Sequence, residues 1–161
     1  MAIRNIGVFS GSRIGSDPDF SVAAERLGVL LAEHGLTMVY GGGRMGLMGS
    51  CSEKVMENGG KTIGIVPEIF SGLGDRNLVT EVINVSDLSE RKKVMEEMSD
   101  AFIVLPGGMG TLDEYTEMIV GRQIGRTAKA SVVINTNHFF DPLMKPAASM
   151  LPIISIRGSK K

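Results

Sequence analysis

The sequence predicts an α/β protein in three layers, a mostly parallel sheet with helices on both faces. Three observations predict it. Short apolar runs such as Ile6-Gly7-Val8-Phe9, Lys61-Thr62-Ile63-Gly64-Ile65-Val66 and Ala101-Phe102-Ile103-Val104-Leu105 have the length and flanks of buried strands. They alternate with longer segments whose apolar residues recur at helical spacing, and that alternation is what a helix-covered parallel sheet requires. The chain also carries 21 glycines in 161 residues, and several cluster where a strand should hand over to a helix.

Taken in order, Ile6 to Phe9 is a first strand that ends in Ser10-Gly11-Ser12-Arg13. Asp17-Pro18 supplies an N-cap followed by proline at the first helical position. Phe20, Ala23, Ala24, Leu27, Leu30 and Leu31 form the apolar face of that helix, and Gly35 closes it. Thr37 to Tyr40 is a second strand, running into Gly41-Gly42-Gly43-Arg44-Met45-Gly46-Leu47-Met48-Gly49. A helix through Cys51, Val55 and Met56 closes at Asn58-Gly59-Gly60, and Lys61 to Val66 is a third strand stopped by Pro67. Residues 68 to 79 lack a period and read as a mobile surface loop. Val82 to Val85 is a short strand, and Asp87-x-x-Glu90 is a capping box for a helix to about Met98. The strand from Ala101 leads through Pro106 to Thr111 into a helix containing Tyr115, Met118 and Ile119. A strand over Ala130 to Ile134 and a helix over Phe139 to Met150 complete the order.

The length suits one domain, residues 1–161, with a substantial core. Seventeen Lys and Arg nearly balance eighteen Asp and Glu with no basic block, which points away from nucleic acid and from an anionic membrane surface. A single cysteine, Cys51, excludes an intramolecular disulfide framework and suits a reducing compartment. The start lacks a secretory pattern, and no apolar run approaches the ~20 residues that span a bilayer. A cytoplasmic protein is expected.

In a Rossmann-like strand order, the loops after the first, second and fourth major strands lie side by side where the order reverses. Here they are Ser10 to Arg13, Gly41 to Gly46 and Pro106 to Thr111, so Gly11, Ser12, Gly43, Gly107, Gly108, Gly110 and Thr111 should share one polar crevice. A glycine-rich turn before a helix converges N–H groups where the helix dipole favours an anion, and phosphate is the natural ligand. The competing reading is that Thr111-x-x-Glu114 is only a capping box. Gly41-x-Gly43-x-x-Gly46 also matches the dinucleotide fingerprint, with Glu68 as its ribose-binding acid, although it follows the second strand rather than the first. Arg91 falls on the apolar face of its helix with Leu88, Met95 and Met98, so its guanidinium needs a carboxylate or a phosphate there, or must snorkel to water. Lys92 and Lys93 take the spacing of solvated faces. No cluster of His, Cys and acids has the spacing of metal ligands, and no cofactor is expected.

The three segments Gly41 to Gly49, Glu90-Arg91-Lys92 and Pro106-Gly107-Gly108-Met109-Gly110-Thr111-Leu112-Asp113-Glu114 together resemble the LOG ("Lonely guy") family. These are cytokinin riboside 5′-monophosphate phosphoribohydrolases, long described as possible lysine decarboxylases. The similarity runs from about Ile6 to about Lys145 in the family's order and spacing. It implies hydrolysis of the N-glycosidic bond of AMP or an N6-modified adenine nucleotide, in a homodimer. It implies Arg91 and Glu114 as the catalytic pair, with Gly107, Gly108, Gly110 and Thr111 as the phosphate turn and Gly43 and Arg44 as the second glycine loop. Lys92, beside the paired arginine, joins Gly11 and Ser12 as a further candidate substrate contact. Two features depart from the family: Val120-Gly121-Arg122 stands where a tryptophan is common, and the family continues with helical sequence beyond residue 161. Leu151, Ile153, Ile154 and Ile156 then need cover, from a second subunit or from the sheet. The alternatives to the hydrolase are a nucleotide or molybdenum-cofactor carrier of the same fold, and a decarboxylase, which would need a Schiff-base lysine for pyridoxal phosphate.

Overall fold

The structure, a computed structural model, describes residues 2–70 and 79–143 and the backbone of 154–156. Seven strands build one sheet: β1 (Asn5–Phe9), β2 (Thr37–Tyr40), β3 (Lys61–Pro67), β4 (Glu81–Val85), β5 (Ala101–Val104), β6 (Ala130–Ile134) and β7 (Ile154–Ile156). They lie in the order β4-β3-β2-β1-β5-β6-β7. Every neighbouring pair is parallel, so the sheet is more uniform than the mostly parallel one the sequence predicts. β7 adds an edge strand beside β6 through Val132↔Ile154. Three residues are too few for a period to announce them, and Leu151 and Ile153 lie outside the described residues.

Between the strands run the helices α1 (Pro18–Glu33), α2 (Gly46–Glu57), α3 (Leu88–Met98) and α4 (Met109–Gln123). Right-handed crossovers send α1 and α2 to one face and α3 and α4 to the other. Alternation along β1 then divides the core. Ile6 and Val8 pack with Leu27, Leu31, Leu47, Cys51 and Val55 from the first helix pair. Phe9 faces the other way, with Phe102, Met95, Tyr115 and Met118. Gly7 lies between them because a Cβ there would enter the Phe102 ring, which stacks on Phe9 at 5.0 Å.

Local sequence accounts for the helix ends. Asp17 caps α1, its Oδ1 accepting from the Asp19 N–H at 2.9 Å, and Pro18 is the first helical residue. Gly35 takes φ +64° after the last turn, and the Leu36 and Gly35 N–H groups close back on the Leu31 and Ala32 carbonyls at 2.9 and 3.0 Å. Asp87 caps α3 by accepting from the Glu90 N–H at 2.8 Å, while Glu90 reaches one residue further back than a capping box requires, to the Ser86 N–H at 2.7 Å. Cys51 is fully buried, and burial pushes its thiol up to about 12, which fits a packing role.

Several expectations shift. Leu30 and Leu88 are not core residues, being 38% and 52% exposed at the margins of their helical faces. β3 runs through Pro67, because β2 ends opposite Gly64 and leaves that side of the last residues free of a ladder. Within the expected loop of 68 to 79, Glu68–Phe70 forms a 3-10 turn and 71–78 lie outside the described residues. The expected helix from Phe139 falls mostly outside them too; before it, Thr136–His138 forms a 3-10 turn with Asn137 at φ 48°. Among the described residues no helix is long and apolar enough to cross a membrane.

Candidate active site

The strand order reverses between β1 and β5, and such a point opens a crevice at the strands' carboxyl ends. The loops after β1, β2 and β5 meet there through backbone. The Gly11 N–H donates to the Pro106 carbonyl at 3.0 Å, and the Met48 N–H donates to the Gly11 carbonyl at 3.3 Å. Gly46, at φ +63°, lies against the Ser12–Arg13 backbone so closely that no side chain fits. Together the loops enclose a crevice of about 830 Å³.

Two helices begin on this crevice, α2 after Met45 and α4 after Gly108, and neither has a side-chain cap. Apart from the Met48 N–H, which the Gly11 carbonyl takes, no first-turn N–H of either helix is spent on an oxygen outside its helix among the described residues, and both dipoles aim their positive ends at one space. This corrects the capping-box reading. α4 starts at Met109, which makes Thr111 its third residue rather than its cap and sets Glu114 too deep to reach the cap. Thr111 is buried against Gly107 instead. Arg13, Arg44 and Arg91 also line the crevice, with Glu114 as its carboxylate.

Glu114 turns to α3, where its Oε1 lies 3.2 Å from Nη2 of Arg91. The two side chains are 12% and 15% exposed. Arg91 thus meets a carboxylate rather than snorkelling, as its place on the apolar face demands. The pairing is incomplete, since Arg91 Nε is buried without a partner, as is Ser10 Oγ at the end of β1. Burial pushes the Glu114 carboxyl up to about 7, against the pull of the Arg91 guanidinium. A carboxyl held near neutrality beside a fixed cation, in a crevice, is a usual mark of a reacting site.

An outer row of ion pairs holds α3 against α4. Lys92 Nζ lies 3.0 Å from Asp113 Oδ2 and 2.7 Å from Glu117 Oε2. Arg126 bridges Glu96 at 2.9 Å and Glu117 at 3.5 Å, and its guanidinium packs over Gly121, near where the family often has a tryptophan. Lys92, expected among the substrate contacts, is held by Asp113 and Glu117 and is not among the residues that line the crevice. One step along a helix from Arg91 rotates a side chain by about 100°, off the face that meets Gly41 and Glu114. Gly11, Ser12, Gly43, Arg44, Arg91, Gly107, Gly108, Gly110, Thr111 and Glu114 all line the crevice. Glu68 does not, which leaves the dinucleotide reading without its acid.

Sequence reasoning places Ser10 and Gly41 in the converging loops without a role for either, and misses an apolar end where Phe139 meets Phe20 edge-on at 5.3 Å. Phe20 carries only a core signal, and Phe139 follows two residues in left-handed geometry that no local pattern marks.

A family model described as possible lysine decarboxylase matches residues 48–153. A cytokinin riboside 5′-monophosphate phosphoribohydrolase of Rhodococcoides fascians is 36% identical over 143 residues, which are 88% of this chain and 72% of that protein. The chain belongs to the LOG family. A relative of the same name from Oryza sativa subsp. japonica is 41% identical over 145 residues, 88% of this chain and 59% of its own. The chain thus spans less than two thirds of that LOG relative. Among solved structures, the molybdenum cofactor binding protein of Rippkaea orientalis shares the fold, with a TM-score of 0.77 at 24% identity over 98% of this chain and 91% of that one.

Proposed function

We propose that this LOG-family chain hydrolyses the N-glycosidic bond of AMP or an N6-modified adenine riboside 5′-monophosphate, releasing the base and ribose 5-phosphate. The observation that carries the reading is the Arg91–Glu114 pair, facing a crevice onto which two uncapped helix N-termini open. The relatives' named activity agrees with it. The 5′-phosphate sits on the Gly107 to Thr111 turn and fixes the ribose in register, so remote binding energy serves the reacting centre. Breaking a ribosyl bond passes through an oxocarbenium-like state, with positive charge on the sugar and negative charge on the departing base. The ionised Glu114 stabilises that cation and binds a ribose hydroxyl or the attacking water. Arg91, permanently charged, orients the substrate and steadies the negative charge, and gives up no proton.

The other readings have less support. The cofactor-binding neighbour shares the fold alone, which does not separate carrier from enzyme. A decarboxylase using pyridoxal phosphate lacks its anchor, because no lysine lines the crevice among the described residues. We assign the protein to the cytoplasm as a homodimer, with the exposed Val120 on α4 and Ile124 just past its end as an apolar surface for a second copy. Light scattering that shows a monomer at micromolar concentration would overturn the dimer. Incubation with a panel of nucleoside 5′-monophosphates, followed by chromatography for free base, tests the activity. AMP or an N6-modified analogue should yield base while adenosine yields at least 100-fold less, a loss that remote binding energy of this kind can supply. Tight nucleotide binding with no release of base would favour the carrier.

A further inference from the structure

The first glycine of Gly41-x-Gly43-x-x-Gly46 has no counterpart in a phosphate cradle. A Cβ built on Gly41 would fall 2.7 Å from Cζ and 3.2 Å from Nε of Arg91, and closer still to Nη2. No other atom stands among its nearest neighbours, and the backbone there is not in the left-handed region that favours glycine. Conformational freedom is therefore not what Gly41 provides. The space it leaves is filled by the guanidinium, which lies across the Gly41 backbone on one side and against Glu114 on the other.

We propose that Gly41 is the positioning residue for Arg91, its missing side chain forming the seat that holds the guanidinium beside Glu114 at the crevice floor. The inference rests on the proposed hydrolase for its kinetic consequence, but not for its geometry. A methyl group at 41 meets the far end of a flexible side chain, so the fold gives way at the guanidinium and not at the backbone. To reach even 3.4 Å from that Cβ, the Arg91 Cζ must retreat by about 0.7 Å, and Nη2 further, which is the scale of misplacement that costs a reaction about 100-fold. Gly42 and Gly46 differ in kind, because Gly42 meets Val66 and Gly64 of β3 and Gly46 meets the Ser12–Arg13 backbone, and both have positive φ.

The test is a double-mutant cycle of Gly41→Ala and Arg91→Ala, read in two ways. In kcat/KM for AMP, Gly41→Ala should cost about 100-fold alone and less than threefold in the Arg91→Ala background, since its target is then gone. Equal losses in both backgrounds, or near-normal turnover by Gly41→Ala, would overturn the inference. The second readout needs no turnover: the Glu114 carboxyl is titrated by side-chain carbon NMR and assigned by its loss in Glu114→Gln. Moving the guanidinium away should raise the midpoint in Gly41→Ala, as in Arg91→Ala, and an unchanged midpoint would again overturn it. If the wild type releases no base from AMP while the midpoint moves, the hydrolase reading fails and the seat stands. Should Gly41→Ala not fold, the double variant decides: folding restored by removal of Arg91 supports the seat, and failure of both variants refutes it.

Discussion

The raised carboxyl of Glu114 makes a stability claim that can be tested apart from catalysis. Its ordinary value is 4.5, and burial moves it to about 7 in the folded protein, net of the opposing pull of Arg91. Between those values the folded chain holds a proton that the unfolded chain has released. Stability from this group is therefore fully present below pH 4.5 and lost as pH rises through about 7. At about 1.4 kcal/mol for each tenfold change in proton affinity, the loss is about 3 kcal/mol, and at 12% exposure little of it is screened away. Glu114→Gln keeps the shape and cannot titrate. Urea unfolding of the wild type and the variant from pH 4.5 to 8 should show the wild type losing about 3 kcal/mol relative to the variant, with every other titrating group cancelling in the difference. A pH-independent difference would refute the reasoning, since it would mean that Arg91 compensates the buried charge fully. The same ionisation sets the sign for catalysis: if the carboxylate is the working form, kcat rises with pH through the neutral range and Glu114→Gln removes most turnover.

Lys92→Ala should lose about 1 kcal/mol, because its partners Asp113 and Glu117 are 63% and 38% exposed, and should keep near-normal turnover of AMP. A 100-fold loss with the fold intact would return Lys92 to the substrate contacts. Gly28→Ala puts a methyl 2.8 Å from the Lys54 Cβ and closer to the Cys51 carbonyl where α1 crosses α2, so it should cost about 1–3 kcal/mol and lower the melting temperature by several degrees. An unchanged melting curve would show that the two helices part freely. Arg91→Ala should fold and lose turnover about as severely as Glu114→Gln, and intact activity would leave the guanidinium a purely structural partner of the carboxylate.

What the sequence made legible is what local pattern controls. From β1 to β6 strand and helix alternate at the predicted places, Asp17-Pro18 and Gly35 bound α1, and the three loops named from strand order meet at one crevice. What escaped depends on where a helix begins to within two residues, or on a partner far along the chain. The pattern Thr-x-x-Glu is compatible with a cap, and only the start of α4 at Met109 turns Thr111 inward and frees Glu114 for Arg91. Helical spacing sets Lys92 on a solvated face and Arg91 on the apolar one, but the carboxylates that take Lys92, Asp113 and Glu117, are known only once α4 lies alongside. Gly41 looks like any glycine of a phosphate loop until the residue filling its empty space, fifty positions away, is known.

Strand order is the reason that residue can be so far away. α3 descends from β4 at one edge of the sheet and delivers the chain to β5, next to β1 in the middle, before α4 leaves again. Arg91 is therefore carried in on the way to the switch point and Glu114 on the way out, and both arrive over loops that β1 and β2 have already placed. Neither side chain could be supplied by its own helix alone: the buried guanidinium needs the carboxylate, and without the guanidinium the carboxyl would hold its proton more tightly. Helices fixed on both flanks by core packing, and tied to each other by the Lys92 and Arg126 bridges, hold two mutually dependent charges where a flexible loop would let them part. The glycines between them lend backbone rather than side chains, which leaves the Arg91–Glu114 ion pair facing the crevice.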